Sequence, residues 1–161
     1  GTVVGEPFRI NVYTTGRQLR PAVCAQGDGR FAAVWIDRSR DVLDSGLFWT
    51  DGRVRVNEIV AEDPRAEVAP DVACANTGKF LVVWGDFPSN DRNDEVAARA
   101  FARDGSHEGS RFFVNSFTTG DQTDAVVCAS GDDGYVVAWR NAVVSAGGTV
   151  DGTTLVATAA L

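Results

Sequence analysis

The chain has 161 residues, with 15 basic residues against 22 acidic ones and a formal charge of −7, which is one domain in length and enough to bury a core. A pI of about 4.6 excludes a general binder of phosphate backbones, which long-range repulsion would turn away. No run of 18 apolar residues offers a membrane-spanning helix and no secretory leader is recognisable, so neither a nucleic-acid partner nor a membrane span is expected.

The first segment with strand character is "FRIN" (8–11), where Phe8 and Ile10 share one face and Arg9 takes the other. "RPAVCA" (20–25), "RFAAVW" (30–35), "GLFWT" (46–50) and "VRVN" (54–57) follow. The order then restarts with "PDVACA" (70–75), "KFLVVW" (79–84), "EVAARAF" (95–101) and "FFVN" (112–115). A third round gives "DAVVCA" (124–129), "GYVVAW" (134–139) and "TLVATAAL" (154–161). Gly and Asp punctuate the gaps as hairpin signals, for instance "GDG" at 27–29 and "GDDG" at 131–134. β-Branched and aromatic residues dominate between them, and no segment keeps a helical period in all three rounds.

The chain therefore reads as one all-β domain of three four-stranded repeats, about 12–57, 58–115 and 116–161, with 5–11 as a closing strand. The Trp-bearing strand of each repeat is apolar on both faces, which stacked sheets explain better than a half-solvated one. Segment 5–11 resembles a fourth strand and belongs to no preceding unit, so it would complete the last blade of a β-propeller. Three blades fall short of the usual four to eight, and two chains would make six, a homodimer. A β-trefoil is the alternative and would permit a monomer.

Cys24, Cys74 and Cys128 each sit in a Cys-Ala pair ahead of a Trp segment. They read as one small core position used three times, rather than as a disulfide framework. A three-thiolate metal site would need all three to converge, with no His nearby as a fourth ligand. His107 falls in a turn.

The unit F-x-V-N-x-x-T-x-G-x-Q…G-x-F-V-V-x-W is carried in the third copy by Phe112, Val114, Asn115, Thr118, Gly120, Gln122, Gly134, Tyr135 and Trp139. In the first copy Phe8, Asn11, Thr14, Gly16, Gln18, Phe31 and Trp35 carry it. The middle copy lacks the Thr-x-Gly-x-Gln turn. This unit resembles the repeats of long bacterial surface and secreted proteins. The resemblance implies propeller-like blades and an extracellular or cell-surface setting; it carries no shared chemistry.

Loops between the second and third strands vary most from repeat to repeat, which on repeat scaffolds marks a binding face. Trp49 occurs in one repeat only and suits stacking on a sugar, whereas Trp35, Trp84 and Trp139 read as packing between sheets. Arg38, Asp41, Asp86 and Asp91 are candidate ligand contacts. Asp91, Asp94 and Glu95 form a candidate calcium set, read equally as a solvated acidic loop; no other cofactor is implied. No nucleophile–base pair or phosphate-cradling loop is present. The expected function is a non-catalytic, multivalent carbohydrate-binding module. A structural or protein-interaction module is the alternative, and a glycosidase-like enzyme ranks behind both.

Overall fold

The computed structural model describes residues 5–38, 42–49, 54–61, 70–86, 94–144 and 150–160. Among them there are eleven strands and no helix. The strands are β1 (Gln18–Ala25), β2 (Arg30–Asp37), β3 (Val42–Trp49), β4 (Val54–Ala61), β5 (Asp71–Cys74), β6 (Phe80–Asp86), β7 (Glu95–Phe101), β8 (His107–Phe113), β9 (Asp121–Ser130), β10 (Gly134–Val144) and β11 (Val150–Ala160). They form three antiparallel meanders, β1-β2-β3-β4, β5-β6-β7-β8 and β9-β10-β11. The three-repeat, all-β reading is thus seen as three consecutive sheets.

The sheets stack through their first strands, β1 against β5 and β5 against β9. The Trp strands β2 and β6 are covered on both faces, as their sequence requires, whereas β10 buries only the face of Tyr135, Val137 and Trp139. Ala32, Val34 and Ile36 of β2 meet Phe80, Val82 and Trp84 of β6 in one core cluster. Leu81 and Val83, on the other face of β6, meet Tyr135, Val137 and Trp139 of β10 in a second. The middle sheet is a shared wall between two cores.

Two expectations need correction. Residues 5–17 contain no strand, and the third sheet has three strands rather than four. Instead of pairing with β11, Ile10 packs on the outer face of the first sheet with Phe31, Ala33 and Trp35. Among the described residues the sheets close neither a propeller ring nor a trefoil. The asparagine also fails as a common strand end: Asn57 lies inside β4, opposite Gly46, whereas Asn115 lies beyond β8.

The cysteines are the second correction. Cys24 and Cys74 are joined by a disulfide, while Cys128 is free and exposed. The reason is a one-residue difference. From Cys to Trp is eleven residues in the first and third copies but ten in the middle one. Cys24 pairs across its hairpin with Ala32 and Cys128 with Val136, but Cys74 pairs with Phe80, which corresponds to Phe31 and Tyr135. Removing one residue turns a strand position to the opposite face. Cys74 therefore faces back toward the first sheet and meets Cys24, while Cys128 shares the exposed outer face of β9 with Val126.

The repeated Thr-x-Gly-x-Gln turn is a structural device. Gln122 is fully buried; its Nε2 donates to Asn141 Oδ1 (2.8 Å), and its Oε1 accepts from Trp139 Nε1 (2.7 Å). Gly120 sits at φ +81°, and a Cβ there would lie 2.5 Å from Ala142 O, so only glycine fits. In the first copy, Gln18 Nε2 likewise donates to Asp37 Oδ1 (2.9 Å). The middle copy lacks the glutamine, and among the described residues nothing accepts from the buried Trp84 Nε1, an omission that costs about 1–3 kcal/mol. Asp86, at the position of Asp37 and Asn141, pairs with Arg111 instead (2.8 Å).

Candidate functional site

At one end of the stack the β1–β2, β5–β6, β7–β8 and β9–β10 turns come together. Between the first and second sheets this end is sealed. Asp28 accepts from Arg30 Nε (2.9 Å) and from Arg103 Nη2 (2.7 Å), and Arg30 Nη1 also donates to Arg103 O (3.0 Å). The two guanidiniums, Arg30 first, hold the Asp28 carboxyl well below the usual carboxylate range. Gln26 Nε2 crosses the same seam to Gly78 O.

Between the second and third sheets the same end is bridged by Thr77, whose hydroxyl donates to Asp132 O (3.2 Å) and to Asp133 Oδ1, and a pocket lies beside that bridge. A pocket of about 200 Å³ is lined by Lys79, Phe80, Ala100, Phe101, Glu108, Asp133 and Tyr135. Its lining is mostly apolar, but the Phe80 and Phe101 rings stack on each other at 4.7 Å and 4° and belong to the core between the first and second sheets. Its rim is charged: Lys79 Nζ lies 3.1 Å from Glu108 Oε1 and 3.9 Å from Asp133 Oδ2, so one ammonium spans both sheets. The bond to Glu108, then the Asp133 charge, raise the Lys79 pKa above its ordinary value. Lys79 is the single lysine of the chain.

Tyr135 gives the pocket its one buried polar group. The residue is 4% exposed, and among the described residues its hydroxyl makes no well-formed hydrogen bond; the Ala75 N–H that approaches it is engaged with Lys79 O (2.8 Å). Burial, reinforced by the charges of Asp133 and Glu108, pushes the phenol up to about 12, so it stays protonated and can both donate and accept. An orphaned hydroxyl in a protein wall costs about 1–3 kcal/mol, and a ligand atom that pairs with it removes that cost.

Sequence reasoning missed this site, although a signal existed. Phe31, Phe80 and Tyr135 are equivalent, each four residues before its Trp, and the hydroxyl appears once. A residue that departs from its equivalents in the other repeats is the pattern that singled out Trp49.

The residues singled out in sequence are scattered. Trp49 ends β3, and its side chain lies outside the described residues, as do Asp41 and Asp91 altogether. Arg38 follows β2, its N–H bonded to Arg17 O (2.9 Å). Asp86 is buried in its pair with Arg111. Glu95 begins β7 and Asp94 precedes it, its O accepting from Gln122 N–H (2.9 Å). Burial first, then the Asp121 charge, push the Asp94 carboxyl up to about 6. Among the described residues no group of three His, Cys, Asp or Glu side chains is placed to hold a metal ion, and no helix is long and apolar enough to cross a membrane. Neither a scan of protein-family models nor a comparison with curated proteins returns a match for this chain.

Proposed function

We propose that the chain is a non-catalytic binding module built of propeller-type blades, and that it binds carbohydrate through the pocket between its second and third sheets. The carrying observation is the unpartnered Tyr135 hydroxyl in an apolar pocket rimmed by Lys79, Glu108 and Asp133. Apolar walls with a few convergent polar groups are what small-molecule sites offer. A cavity near 150 Å³ already holds a six-membered ring, and this one is comparable in size. A pyranose ring carries hydroxyls that can pair with the charged rim and with the Tyr135 hydroxyl. The Cys24–Cys74 disulfide suits an oxidising compartment, which supports a secreted or cell-surface setting.

The protein-interaction reading keeps one observation of its own. Val23, on the outer face of the first sheet, and Val126, on that of the third, are apolar residues left exposed at the two ends of the stack. A glycan array separates the two readings. Binding that follows one sugar class, and that is lost in Tyr135→Phe, is the expected result. A uniform blank with folded protein would shift the function to protein contact.

A further inference from the structure

The segment on the outer face of the first sheet is placed as though it belonged to another sheet. At the second junction, Phe112 and Val114 pack against the cluster containing Tyr135, Val137 and Trp139. Phe8 and Ile10 hold the same positions, three and one before an Asn. Phe8 meets the Phe31 ring at 6.3 Å, and Ile10 packs with Ala33 and Trp35. The turns beyond also match: Asn11 Nδ2 donates to Tyr13 O as Asn115 Nδ2 donates to Phe117 O (2.9 Å). Arg20 and Asp124, each two residues past the glutamine, both take positive φ, 51° and 54°, where β1 and β9 shift register. Residues 8–20 thus stand to the first sheet as 112–124 stand to the third.

Residues 8–11 therefore occupy the place of an outermost strand whose own sheet lies in front of β1–β4. The third sheet is the complementary piece. It has three strands, β11 pairs only with β10 among the described residues, and its outer face exposes Val126 and Cys128. Long unpaired edges invite strand addition, and main-chain bonding along such an edge is a recurring mode of association.

We propose that a second copy of this chain supplies the missing neighbour. Residues 8–11 of each copy add to the β11 edge of the other, and the outer face of each third sheet packs on the other copy's first sheet, over Val23. The contact occurs twice about a twofold axis and closes on itself. Six sheets result, within the four to eight of ordinary propellers. The inference is independent of the carbohydrate reading, because mass does not depend on ligand.

Light scattering during size exclusion tests it. The expected particle has twice the 17.1 kDa chain mass, and Val126→Asp loses the doubled mass while keeping a strand-rich circular dichroism spectrum. If that variant fails to fold, Ile10→Asp tests the other half of the contact. Alkylation of Cys128 should be slowed severalfold in the wild-type dimer relative to the monomeric variant. A monomer at high protein concentration, or a dimer whose Cys128 reacts as fast as an open thiol, would overturn the proposal.

Discussion

The two junctions of this molecule are built from equivalent strands and end up differently. Between the first and second sheets the seam is covalent and charged: a disulfide, two arginines on Asp28, and a glutamine bridging to Gly78. Between the second and third the turns are joined only by hydrogen bonds from Thr77 to Asp132 and Asp133 and by the Lys79 ion pairs, beside a pocket that holds the Tyr135 phenol. One residue fewer between Cys74 and Trp84 accounts for the covalent part of the contrast, since it aims Cys74 at the first sheet. A hydroxyl on one of three equivalent aromatic residues accounts for the polar part. A repeat protein can therefore fix one joint and equip the next with single-residue changes, leaving the strand order unaltered.

The largest expected effect comes from breaking the sealed junction. The disulfide closes a loop with a sequence separation of 50, which on the chain-entropy model is worth about 4 kcal/mol. Cys24→Ala with Cys74→Ala, or reduction of the wild type, should lower unfolding stability in urea by that order. Cys128→Ala should leave it nearly unchanged. Equal stability with and without reductant would show that the seam is held by packing alone.

A smaller, pH-dependent effect belongs to the far end of the second junction. The Asp94 carboxyl is raised from 3.8 to about 6 by burial and by Asp121, so its ionised form disfavours the fold. Its favourable contribution is complete below 3.8 and is lost as pH rises through about 6. Asp94→Asn should raise the Tm relative to wild type at neutral pH, and the gain should vanish in acid. A gain that does not change with pH would mean that the carboxylate is not the cause.

Sequence made the scaffold legible because packing demands repeat. The two-sided apolar pattern of Phe31 to Ile36 and Phe80 to Val83 required stacked sheets, and stacked sheets are found. "EVAARAF" had the propensity for a helix, but its equivalents did not, and it forms β7. The repeated Asn and Gln turned out to satisfy backbone groups and, in the third copy, the Trp139 indole nitrogen, so the most insistent letters describe architecture. The cysteines were misread because distances of eleven and ten residues look alike in a string but differ by a whole face on a strand. Residues 8–11 carry the sequence of a fourth strand, yet they form none, because pairing depends on a neighbour that sequence spacing does not supply. The pocket was invisible for a related reason: its lining comes from β6, β7, β8 and the β9–β10 region, and only the fold brings Lys79 beside Glu108 and Asp133.

The most direct test of the account is calorimetric titration of a sugar selected on the array into wild-type protein and into Tyr135→Phe. The unligated variant should be as stable as wild type or more so, because it sheds an unpartnered buried hydroxyl. Its affinity should fall about two- to twelvefold, the worth of one hydrogen bond of ~0.5–1.5 kcal/mol. Unchanged affinity in the folded variant would contradict the assignment of the pocket as the binding site.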